Sequence, residues 1–188
     1  MDMNWLIPVI VALMVYACIY YYLKSRKVLP HVIDFMGPCI MIKTEKVGFF
    51  DKLARPKKLL YAYASAGVLL TIICGVAVTL LFVISGLLSL TVPTEPIPPQ
   101  DLLLIPGLNS YVPSTFAVWF ALVFAMVIHE AGHGIISRVE NMRVKSTGLL
   151  TLIIPIGAFV ESYGEDVEKA RLGSKLRMFA AGITNNIV

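Results

Sequence analysis

Apolar and polar residues fall in long blocks along this chain rather than alternating at strand or helix period. Apolar blocks cover about 5–23, 61–92 and 113–138, and a last one opens at 178 and runs to residue 188. A helix needs roughly 20 apolar residues to cross a bilayer. The first three blocks are long enough and the last is incomplete. A shorter block, Leu149 to Val160, cannot span. Lys and Arg residues flank it on both sides, and Pro155 and Gly157 interrupt it. The β-branched Thr151, Ile153, Ile154 and Ile156 favour extended backbone there, so it predicts a short β-hairpin or re-entrant segment. The pattern as a whole predicts a membrane protein, mainly α-helical, with three full spans plus the start of a fourth. Residues 1–188 then form a single transmembrane core with no separate soluble domain.

The polar blocks give the spans a direction. Residues 24–58 hold nine Lys/Arg against Asp34, Glu45 and Asp51, whereas the proline-rich 93–112 holds no Lys or Arg, only Glu95 and Asp101. Basic loops stay on the cytoplasmic side. The N-terminus is therefore expected outside, and the 113–138 span should run from outside to inside. Asp2 precedes the first apolar block and Lys24, Arg26 and Lys27 follow it. A secretory leader has the opposite order, so this block reads as an uncleaved anchor. Within the basic connection, Cys39 to Thr44 is expected to form a short strand. Val47 to Leu53, with Phe49 and Phe50, is expected to lie at the interface.

Composition agrees with the blocks. The chain is 57% hydrophobic and 15% charged, with a mean hydropathy of +0.79, where a soluble domain carries roughly a quarter charged residues. The net charge of +4 lies beside the spans, so it anchors them and does not indicate a nucleic-acid partner. Cys18, Cys39 and Cys74 have no CxxC spacing, which leaves neither a disulfide framework nor a cysteine metal site.

The chemistry is concentrated in His129-Glu130-Ala131-Gly132-His133, near the end of the third block. Two histidines four residues apart share one helix face, and both rings can meet one metal. This is the HExxH arrangement, in which the histidines bind Zn²⁺ and the glutamate is the general base. The motif follows an uncharged stretch from Phe116 to Ile128 and lies roughly 20 Å below the start of its span. Ionisable groups at such depth are costly and mark function. The structural alternative is a buried His–Glu–His cluster that ties helices together.

Three motifs together resemble the site-2 protease family of intramembrane zinc metalloproteases, in its archaeal branch. They are His129 to His133; the segment Ile154-Pro155-Ile156-Gly157-Ala158-Phe159-Val160-Glu161; and Ala181-Gly182-Ile183-Thr184-Asn185-Asn186, where Ile183 replaces the family's proline. The stretch from Gly37 to Lys58 is similar to the archaeal branch as well. The resemblance implies a zinc metalloendopeptidase that cleaves transmembrane segments of membrane-protein substrates within the lipid bilayer. It implies zinc ligation by His129 and His133, with Glu130 catalytic. Asn186 is implied to position substrate or stabilise an oxyanion; a one-residue shift would give that part to Asn185, and either asparagine could instead simply join helices. The family's third ligand, an Asp in an Asp-Gly motif, is not present in this chain. Asp166, the last aspartate, has the wrong neighbours. Either the sequence is a piece of a longer protease, in which case it is not expected to be active alone, or the protein is not a standard member of the family.

A second class, a non-catalytic metal-binding or transport scaffold, stays open. A transporter needs polar residues along both halves of the membrane, and the second apolar block offers none. Water is expected to enter from the cytoplasmic face, and the 149–160 hairpin to hold an unwound substrate by edge addition.

Overall fold

A computed structural model describes residues 6–26, 29–91, 97–102, 104–152 and 154–188. The helices are α1 (Leu6–Arg26), α2 (Gly48–Leu53), α3 (Lys57–Ser89), α4 (Phe116–Val139), α5 (Gly164–Lys169) and α6 (Leu172–Ile187). The strands are β1 (Ile33–Met36), β2 (Cys39–Thr44), β3 (Val144–Leu152) and β4 (Ile154–Ser162).

The expected mainly helical protein with three or four spans does not hold. Among the described residues, two helices are long and apolar enough to cross a membrane, α3 and α4. The first apolar block is helical, but the C-terminal half of α1 is aromatic and basic and is committed to the sheet. Tyr16 Oη donates to the Pro38 carbonyl (2.6 Å) and Tyr20 Oη to the Gly37 carbonyl (2.7 Å). The block expected to open a fourth span belongs to α6, which starts earlier, at Leu172, in the polar stretch before that block. Its buried face is mostly small, with Met178, Ala180, Ala181, Gly182 and Thr184, while the larger Leu176, Phe179 and Ile183 face outward.

The expected short hairpin is larger than its apolar stretch. β3 and β4 begin and end in the flanking polar residues, and they join β1 and β2 in one antiparallel sheet of order β1-β2-β3-β4. Cys39–Thr44 forms β2 as expected. It pairs with β3 across a long stretch of chain, Ile40 opposite Thr151 and Thr44 opposite Thr147. Sheet pairing is a tertiary event, so apolarity alone underestimates strand length where polar residues such as Lys145 and Glu161 face each other on the surface. These two form an ion pair at 2.7 Å.

α3 and α4 carry large apolar side chains over their outer faces, among them Leu81, Phe82, Phe120 and Phe124. A helix apolar on every side suits lipid better than water. At 33 residues, α3 is roughly 50 Å long. The packed core lies at the other end of the pair, where Ala54, Ala64, Ile136, Val139, Met142, Met178 and Ala181 meet. Close approach there depends on small residues. A side chain at Gly67 of α3 would collide with Thr184 of α6, and one at Gly134 would displace the buried ring of Phe50. The segment expected at the interface is therefore α2 tucked beneath α4, with Phe50 inside and Phe49 exposed.

Candidate metal centre

α4 holds the HExxH residues by its own ends. Thr115 caps the first turn, its hydroxyl accepting from the Val118 N–H. At the other end Asn141 turns left-handed (φ 62°). The Met142 N–H reaches the Ser137 carbonyl (2.8 Å) and the Asn141 N–H the Arg138 carbonyl (3.2 Å). This double closure is a Schellman motif, and it places apolar Met142 back on the helix. Between those ends the rings of His129 and His133 stand 4.9 Å apart at 75°. Ligand atoms of His129, Glu130 and His133 all lie within 4.8 Å of one another.

α6 supplies the other wall. A Cβ on Gly182 would sit 2.5 Å from His129 Nε2 and 2.6 Å from His133 Nε2. Both Nε2 atoms thus face one recess that exists because residue 182 has no side chain. The Nδ1 atoms face away and have partners. His133 Nδ1 lies 2.8 Å from the Met178 carbonyl, which can only accept, so Nδ1 carries the proton and Nε2 presents a lone pair. His129 Nδ1 lies 3.1 Å from Asn186 Nδ2, a donor, so in this orientation Nδ1 accepts; turning the amide over brings its oxygen to the ring and gives the tautomer seen at His133. Metal-binding histidines characteristically have their second nitrogen oriented in this way. Two neutral imidazoles, a recess between them and a carboxylate alongside suit zinc.

Glu130 is oriented by the sheet. Its Oε2 accepts from the Val160 backbone N–H at 3.0 Å. That N–H points away from β3, because β4 is the terminal strand and this is its free edge. Beside Glu130 and His133 lies a cavity of about 390 Å³ that reaches Ser137 and Ser162 and is closed by Val160 and Phe179. The two serine hydroxyls are 3.1 Å apart. Glu130, His133 and Ser137 fall on one face of α4, so a polar strip runs from the metal-binding residues toward the helix end.

The two adjacent asparagines have different surroundings. Asn185 is interhelical: it accepts from Tyr63 Oη of α3 (2.8 Å) and donates to the Ile128 carbonyl of α4 (2.9 Å). Asn186 is the one at the histidine. Asp166 lies elsewhere, clamped by Arg143 through Nε (2.8 Å), Nη2 (2.9 Å) and the backbone N–H (2.9 Å). That guanidinium holds the Asp166 carboxyl down at about 2. Sequence reasoning missed the recess at Gly182, the Met178 carbonyl and the Glu130–Val160 bond. The Ala180-Ala181-Gly182 run signals close packing, but nothing in it names what comes close.

Residues 117–188, which contain α4, β3, β4, α5 and α6, match the model of peptidase family M50, the site-2 protease family. Members of that family are zinc metalloproteases of membranes. An uncharacterised protein of Methanocaldococcus jannaschii is similar as well, 33% identical over 103 residues, covering 54% of this chain and 27% of the relative. The chain thus spans about a quarter of that relative's length. No solved structure matches.

Proposed function

We propose that the chain carries the zinc-binding and general-base part of an intramembrane metalloprotease that cuts transmembrane segments of membrane proteins. The observation that carries this reading is the convergence of both imidazole Nε2 atoms on the Gly182 recess, with Glu130 beside them. His129 and His133 would hold the metal through Nε2. A zinc ion there supplies Lewis-acid polarisation of the scissile carbonyl and brings water within reach of deprotonation near neutral pH.

This chain's residues do the rest. The Val160 N–H engages Glu130 Oε2, which leaves Oε1 as the atom that takes the proton from the attacking water and later delivers it to the leaving amine. Met178 and Asn186 hold the rings in orientation. The polar strip through Ser137 and Ser162 is the route for water. The free edge of β4 runs past Glu130, so a substrate unwound to extended form and paired with that edge passes its carbonyls in front of the metal-binding residues. The basic surroundings of the α4 end favour a cytoplasmic position for it.

The test is cleavage of a transmembrane substrate by the full-length protein in proteoliposomes. Glu130→Gln keeps zinc and fold and loses cleavage by about 10²–10⁴-fold. Retained cleavage by a folded, zinc-loaded variant rules out Glu130 as the base.

A further inference from the structure

A second cavity, of about 420 Å³, lies where the start of α3 meets the end of α4. It shares no residue with the metal centre. Arg55, Lys57 and Arg138 line it with a single carboxylate, Asp51, over a floor of Ala54 and Met142. The cavity therefore has two positive charges in excess. Lys57 Nζ donates to Asn141 Oδ1 at 3.2 Å. Arg138 Nε lies 3.1 Å from Asp51 Oδ1 but at an angle that makes no hydrogen bond, and it is sealed from solvent without any other partner. A buried guanidinium donor without an acceptor is uncommon in folded proteins.

We propose that this cavity binds the phosphodiester headgroup of an anionic lipid. The charge excess selects an anion. Arg55 and Arg138 are both in the lining, and arginine suits phosphate oxygens. The location selects the lipid. α3 and α4 are the two helices able to cross a membrane, and their adjoining ends lie at the level of the headgroups if they do. Arg55 and Lys57 sit at the rim and are exposed, so a headgroup enters from the side without any helix moving. Ala54 and Met142 give the glycerol carbons an apolar floor. The inference depends on the membrane reading of α3 and α4 and not on zinc, so it can fail while the protease reading stands.

The test is native mass spectrometry of the full chain released from detergent, titrated with phosphatidylglycerol and with phosphatidylcholine. With two positive charges in excess, a preference for phosphatidylglycerol of roughly 30-fold is expected. The double variant Arg55→Gln/Lys57→Gln should abolish it with an unchanged thermal midpoint. Lys24→Gln/Arg26→Gln, which removes the same charge from the end of α1, should leave it intact. Inorganic phosphate should displace phosphatidylglycerol only weakly. Equal retention of the two lipids, a preference that survives the cavity variant, or equal loss in the α1 variant overturns the proposal. Inorganic phosphate binding as tightly as the lipid would also overturn it, by making the site one for a soluble anion.

Discussion

Gly182→Ala tests the geometry of the metal centre most directly, because its two consequences have opposite signs. Residue 182 lies inside α6, where alanine is favoured over glycine by up to about 1 kcal/mol. The new methyl carbon would start 2.5 Å from His129 Nε2 and 2.6 Å from His133 Nε2, and real Cβ contacts essentially never fall under 3.0 Å. The rings or the helix must therefore retreat by at least about 0.5 Å, beyond the roughly 0.2 Å that a metal site tolerates in its ligand distances. Disturbing the groups that orient metal-binding histidines typically costs 10–100-fold in affinity, and a methyl group inside the recess should cost at least as much. That corresponds to about 1.4–2.7 kcal/mol of binding free energy. The assay pairs zinc competition against a chromogenic chelator with helical circular dichroism and thermal unfolding of the metal-free protein. The expected result is a folded variant, as stable as the parent without metal, that has lost zinc affinity. A folded variant with parental zinc affinity would show that the two Nε2 atoms do not share a metal in front of Gly182, and the account of the site would fail with it.

Other substitutions separate the remaining parts. Asn186→Ala, at an exposed position, should lower zinc affinity about 10–100-fold with little change in stability, measured by the same chelator competition. Asn185→Ala should instead destabilise the fold by about 1–3 kcal/mol, because it leaves the Ile128 carbonyl and Tyr63 hydroxyl unpaired; denaturant titration reads this. The Arg177 guanidinium holds Glu140 through Nε (2.6 Å) and Nη2 (3.1 Å) and stacks on the Tyr61 ring at 4.1 Å. Burial pushes the Glu140 carboxyl up, but the bonds from Arg177 and Ser174 hold it below its usual value. Arg177→Met should cost about 3–5 kcal/mol, and the second change Glu140→Met should recover much of it; chemical unfolding of both variants checks the recovery. Asp166, held at about 2 against an ordinary 3.8, favours the folded state fully above 3.8, and this contribution is lost as pH falls toward 2. The stability gap between parent and Asp166→Asn should therefore close over that interval in acid unfolding curves.

The part of the site that lies on one helix was legible in the sequence, because HExxH encodes its own geometry. His129 and His133 share a face by period alone, and the apolar run before them made their polarity costly. The parts that depend on contact were not legible. Met178 contributes a backbone carbonyl, which any residue could supply. Glu130 is fixed by the N–H of Val160, again a backbone group. Gly182 contributes by lacking atoms. In the fold, β2 was readable from its β-branched and apolar residues, and the long apolar helices α3 and α4 from their length. The error in the number of spans arose because hydropathy reports solvent preference and not length of burial. Tyr16 and Tyr20 lie in the first apolar block, yet their hydroxyls bond the loop between β1 and β2. The opening of α6 looks like the start of a span, yet its small-residue face, Ala180, Ala181, Gly182 and Thr184, packs on α3 and α4.

The pairing of β2 with β3 sets an order of events during synthesis. β2 leaves the ribosome long before β3, and both α3 and α4 must be made in the interval. Throughout that time β1 covers one side of β2 while the other side presents unpaired backbone, the condition that invites pairing with a wrong chain. Lys43, which projects from β2 and pairs with Asp34 of β1 at 2.7 Å, places charge on that nascent hairpin. On the proposed membrane reading of α3 and α4, the sheet closes only when β3 returns to the same side of the bilayer as β2, so a molecule that inserts one of the two long helices and not the other cannot complete it. Because Val160 holds Glu130 through the same sheet, membrane insertion and alignment of the proposed base become, on that reading, a single checkpoint.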